Sequence, residues 1–115
     1  MSTEALPVGE VTRQLSDVIG KKLTAYVGGA HSVQVVDEWI KGSVPDTEVE
    51  QRLRFTYEIV CLLSETESHR EIQAWLIGIN PDLGDLAPLQ CIRKLNLDKL
   101  RPTILGAVKA LIVGG

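Results

Sequence analysis

The chain has 115 residues, 44% hydrophobic and 23% charged, which suits one compact domain or two small helical halves sharing a core. Its longest apolar runs, such as Ile59-Val60-Cys61-Leu62-Leu63, fall far short of the roughly 20 residues that span a bilayer, and Met1 to Glu10 hold two acids and no basic stretch, so neither a membrane span nor a signal peptide is expected. The net charge of −3 resides entirely in residues 1–64, where six Lys/Arg face nine Asp/Glu, and that balance excludes a strong nonspecific pull on phosphates by the monomer.

In chain order the apolar residues recur at helical spacing, and the fold expected is all-α. Val11, Leu15, Val18 and Ile19 make one helical face, ended by Gly20. A short helix over about residues 21–27 leads into Gly28-Gly29, a turn that tolerates positive φ. Ser32 is placed to cap a third helix whose Val35, Val36, Trp39 and Ile40 point inward, with Gly42 as its stop. Thr47 and Glu50 have capping-box spacing for a long fourth helix over residues 47–63. Its apolar residues (Val49, Leu53, Tyr57 and Val60, then Phe55, Ile59 and Leu62) cover a stripe wide enough to pack on two sides.

Ser68 and Glu71 repeat the box and open a fifth helix carrying Ile72, Trp75 and Leu76. Gly78 and Asn80-Pro81 break the pattern. Pro88 suits the first turn of a short helix with Leu89, Ile92 and Leu95. A last helix sets Leu97, Leu100, Ile104, Val108 and Leu111 on one face; either Asp98 caps it with Pro102 near its start, or it begins near Arg101. Aromatics are only 4% of the chain, so the core rests on Leu, Ile and Val.

Little points to catalysis. Cys61 and Cys91 lie in apolar stretches without metal-ligand spacing and read as two buried thiols; His31 and His69 are isolated. Asp82 and Asp85 flank Gly84 with no third carboxylate at calcium-loop spacing, and Gly28-Gly29 lacks the strand and lysine-serine pair of a phosphate loop. No enzyme activity, cofactor or metal is expected.

Two patterns carry the functional reading. Ala25, Gly28-Gly29, Val36 and Trp39 suit a helix-turn-helix in which a small residue permits close crossing and the tryptophan anchors the second helix from beneath, its turn one residue longer than in the phage-repressor type. Ser32, Val33, Gln34, Asp37, Glu38 and Lys41 would then be exposed on the recognition helix. Ser32 and Gln34 are the candidates for base edges, and Lys21, Lys22 and Lys41 for phosphates; Asp37 and Glu38 oppose DNA on that face. Without DNA, the same residues make an ordinary packing unit.

The second pattern is Trp75-Leu76, Asn80-Pro81, Leu83-Gly84 and Pro88-Leu89. With Ala25-Tyr26, Gly29, Val36, Trp39 and Gly42 before it, this arrangement resembles the Xre/ParS/MbcA family of antitoxins over about residues 12–115. Lys94 to Asp98 replace the glycine-containing turn common in that family. The resemblance implies an Xre-like helix-turn-helix domain over residues 9–64 joined to a small helical toxin-binding domain over 65–115. It implies an antitoxin that occludes a RES-domain, NAD-consuming toxin and autoregulates its operon by operator binding, as a homodimer or a hetero-oligomer with the toxin, in the cytoplasm. Candidate toxin-facing residues are Trp75, Asn80, Pro81, Leu83, Arg101, Lys109, Gly114 and Gly115, the last two in a flexible tail that reads either as a segment able to enter a partner's cleft or as an ordinary frayed C-terminus. Two alternatives stand beside this: a helical transcription regulator without a toxin partner, and a protein-interaction module that has lost DNA binding.

Overall fold

Among the described residues, apolar positions at helical spacing fold into seven α-helices: α1 Val8–Ile19, α2 Lys21–Gly28, α3 Val33–Lys41, α4 Thr47–Leu63, α5 His69–Ile77, α6 Pro88–Lys94 and α7 Leu97–Gly114. A 3-10 turn, Pro81–Leu83, lies between α5 and α6. The computed structural model describes residues 6–94 and 96–114. Among them there is no strand, only one isolated antiparallel bridge between Asn80 and Leu86. Leu95, expected in the short sixth helix, lies outside the described residues.

α4 is the central element. Its Leu53, Phe55, Thr56, Ile59, Val60 and Leu63 are buried, and it packs against α1, α2, α6 and α7, as the width of its stripe implied. The buried side chains form one cluster that runs from Leu15 in α1 to Val108 in α7, through both stretches of the chain. Three polar or aromatic ties reinforce the join. Gln73 Nε2 donates to the Val18 carbonyl at 2.8 Å, Arg93 stacks over the Tyr26 ring at 4.5 Å, and Arg101 stacks over Phe55 at 4.5 Å while donating to Glu58 at 2.9 Å. Within the first stretch, the Tyr57 hydroxyl donates to the Gln14 side-chain oxygen, and burial raises the Tyr57 pKa above the phenol's ordinary value.

The helix ends follow local chemistry with two corrections, and a third correction applies to the cysteines. Ser68 and Glu71 do form the reciprocal capping box. Thr47 and Glu50 do not: Asp46 takes the N-cap position without a side-chain bond, and Thr47 is already the first helical residue. α7 matches neither expected start. Asn96 opens it, accepting the Asp98 N–H on Oδ1 at 2.9 Å, so Pro102 lies inside the helix. The burial of Ile104, Ala107 and Val108 holds the helix together across that missing donor.

The third correction concerns the thiols: Cys91 is buried, but Cys61 is exposed. Cys61 follows Arg54 and Glu58 at helical spacing, and so falls on the charged face of α4. Burial raises the Cys91 pKa. No helix among the described residues is long and apolar enough to cross a membrane.

Candidate functional site

Two surfaces gather the residues singled out above. The first is built on α2, α3 and the turn between them. Gly29 adopts the left-handed conformation, at φ 77°. Its N–H bonds to the Tyr26 carbonyl at 3.1 Å and the Ala30 N–H to Ala25 at 2.9 Å, a Schellman closure of α2. Gly28 has a different task. A Cβ there would lie 2.8 Å from two ring atoms of Trp39, so the absent side chain makes room for the indole beneath the turn. Gly9 lets α1 approach the backbone of α3, since a Cβ there would lie 2.8 Å from the Trp39 carbonyl oxygen. Arg52 of α4 then donates to the carbonyls of Val27 at 2.9 Å and Gly28 at 3.0 Å, covering the end of α2.

On this scaffold Gln34, Glu38 and Lys41 are exposed, whereas Ser32, Val33 and Asp37 are half-buried. Ser32 occupies the N-cap position of α3, yet its side chain makes no capping bond, so its hydroxyl is not taken up by its own helix. Lys21 is engaged: its Nζ lies 2.6 Å from Asp37 Oδ1, which pairs the first residue of α2 with the face of α3. Lys22 and Lys41 make no ion pair among the described residues.

The second surface is the 80–86 turn. Asn80 organises it through four hydrogen bonds. Its carbonyl accepts from Leu83 N–H and Asp85 N–H, each at 3.0 Å, its N–H donates to Leu86 O at 3.2 Å, and its Oδ1 accepts from Asp82 N–H at 2.9 Å. Gly84 and Asp85 both take left-handed backbone, at φ 67° and 64°. Leu83 is buried at 7% exposure and pins the turn into the core, where it packs against α7. It offers almost no surface. Pro81 is exposed, and Trp75 lies partly buried against the core.

The turn exposes Asp82 and Asp85 beside Pro81, and an apolar rim lies next to it at the end of α5 and at Leu86. Ile77 is 57% exposed, Ile79 78% and Leu86 37%. Beside them a groove of about 240 Å³ is lined by Leu23, Tyr26, Ile77, Ala87, Leu89 and Gln90. Sequence reasoning named none of these isoleucines, although Ile77 and Ile79 flank Gly78 outside any helical stripe, a signal that was present.

The remaining candidates are scattered along α7. Arg101 is committed to Phe55 and Glu58 of α4, so it contributes to packing between the two stretches. Lys109 is exposed and unpaired among the described residues. The C-terminal tail expected at Gly114 and Gly115 is helical as far as Gly114, where α7 ends; Gly115 lies outside the described residues. Arg93 is the residue missed on the first surface: α6 brings it across to α2, over Tyr26. No group of three or more His, Cys, Asp or Glu side chains among the described residues is placed to hold a metal ion.

Among the described residues the fold is thus all-helical, with one polar face on α2 and α3 and an apolar rim beside the 80–86 turn. The chain matches no protein-family model, no curated protein and no solved structure.

Proposed function

We propose that this chain is the antitoxin of a type II toxin–antitoxin pair, which occludes a RES-type NAD-consuming toxin and binds operator DNA. The observation that carries the reading is the exposed apolar rim of Ile77 and Ile79, at the end of α5, and Leu86, at the close of a turn fixed by its own hydrogen bonds. A rigid rim of exposed aliphatic side chains beside an apolar groove is suited to a protein partner. The Trp75 to Leu89 pattern supports a toxin as that partner. Asn80 and Leu83 shape the surface, whereas Ile77, Ile79 and Leu86 touch the toxin.

The operator would meet α3, with Gln34 at base edges and Lys22 and Lys41 at phosphates. Two protomers, or a hetero-oligomer with the toxin, would present two such helices about one DNA turn apart. Co-expression with the protein encoded beside this chain tests the reading: growth arrest by that protein alone, relieved by this chain, is expected. A harmless neighbour, or an arrest that this chain does not relieve, contradicts it.

A second reading, a protein-interaction module that has lost DNA binding, is favoured by the Lys21–Asp37 pair and by exposed Glu38, which together remove positive charge from the α3 face. Replacing Gln34 and Lys41 with Ala is expected to abolish operator retention without loss of helicity. If the unaltered protein retains no operator DNA even with its partner bound, the second reading stands.

A further inference from the structure

We propose that Arg93, which lies in the proposed toxin-binding stretch, is a phosphate contact of the DNA-binding face, so that the face is assembled from both stretches of the chain. The inference rests on the DNA-binding part of the reading above. A depression of about 240 Å³ opens at the start of α3, and its walls include Lys22, Tyr26, His31, Ser32, Val33 and Arg93. Among the described residues, no carboxylate lines it. This contrasts with the remainder of the α3 face, where Asp37 holds Lys21 and Glu38 is exposed. Arg93 thus arrives at the start of α3 on a wall without a carboxylate, while a second depression that it lines, away from α3, includes Glu48 and Asp98.

Its geometry suits the role. The guanidinium lies 4.5 Å above the centroid of the Tyr26 ring and makes no ion pair among the described residues. Stacking occupies the flat faces of a guanidinium and leaves its N–H edge available for bidentate contact with phosphate oxygens. Lys22 adds a second cation on the same wall, and the Ser32 hydroxyl makes no bond to its own helix. A duplex backbone, with regularly spaced anionic oxygens, is the occupant favoured over an acidic peptide, because α3 beside it is the helix proposed to meet the operator.

The test measures binding of fluorescently labelled duplexes as a function of salt, using the DNA just upstream of the coding sequence and a scrambled duplex of equal length. Arg93→Gln is expected to weaken both duplexes alike, roughly five- to tenfold at about 0.1 M salt, and to lower the slope of log K against log salt by about 1. Arg93→Lys keeps the charge and is expected to restore the slope, which a purely structural loss would not allow. Arg70→Gln, on the exposed side of α5, is expected to leave it unchanged. Circular dichroism melts of each variant confirm folding. If Arg93→Gln binds with the wild-type slope, the inference fails and the DNA reading survives; if the unaltered protein binds neither duplex, both fall.

Discussion

Glycine 28 shows how a single missing side chain positions a functional face. The two glycines of the turn look equivalent in sequence, and only Gly29 needs left-handed backbone; Gly28 is there because Trp39 lies against its Cα. Gly28→Ala is therefore expected to destabilise the fold by about 1–3 kcal/mol through overpacking, read as a lower urea midpoint with an unchanged m value. An unchanged midpoint would mean that the indole moves aside freely. A second residue-scale prediction concerns Glu10. Its hydrogen bonds from Arg13 and then Gln14 lower its pKa from 4.5 to about 2. Because the folded value is the lower one, whatever the pair adds to stability is present above the unfolded pKa and is lost as pH falls from about 4.5 towards 2. Arg13→Gln is expected to return the Glu10 carboxyl towards its ordinary value in an NMR titration; a titration still near 2 would contradict this assignment.

Elements were more legible than their ends. The periodicity of Val11, Leu15 and Ile19, and of Leu53, Val60 and their neighbours, placed α1 and α4 because burial on one face is a property of spacing alone. The Ser68–Glu71 box was readable for the same reason: its partners are three residues apart. Thr47 misled because the competing N-cap, Asp46, is its immediate neighbour. Pro102 misled because what sustains α7 across it is tertiary: Ile104 and Val108 are fully buried in the shared core. Pro102→Ala restores an N–H to the Asp98 carbonyl and is expected to raise the thermal midpoint, provided the site repacks without strain. A lower midpoint would show that the proline bends α7 into register with α4. Arg93 and the exposed isoleucines were the least legible, since their placement depends on which helix packs beside which.

The whole molecule is best understood through its shared core. Residues of α5, α6 and α7 (Ile72, Leu76, Leu89, Ile92, Ile104 and Val108) join the same buried cluster as those of α1 to α4. Truncation after Glu67 would strip them all away and lay bare the second face of α4. The fragment is expected to lose the cooperative melt of the full chain, and a fragment that melts as sharply as the whole would contradict the single-core description. Arg101→Glu belongs at this scale too. It would replace a guanidinium stacked on Phe55 with a carboxylate beside Glu58, so it perturbs packing and is a poor probe of a partner surface. The clean probe is Ile79, which is 78% exposed and outside the buried cluster. Calorimetric titration of the purified chain with the protein encoded beside it therefore tests the central claim most directly. Wild type is expected to bind, and Ile79→Glu to bind at least tenfold more weakly with an unchanged thermal midpoint; equal affinity of the two would contradict the turn as the partner surface.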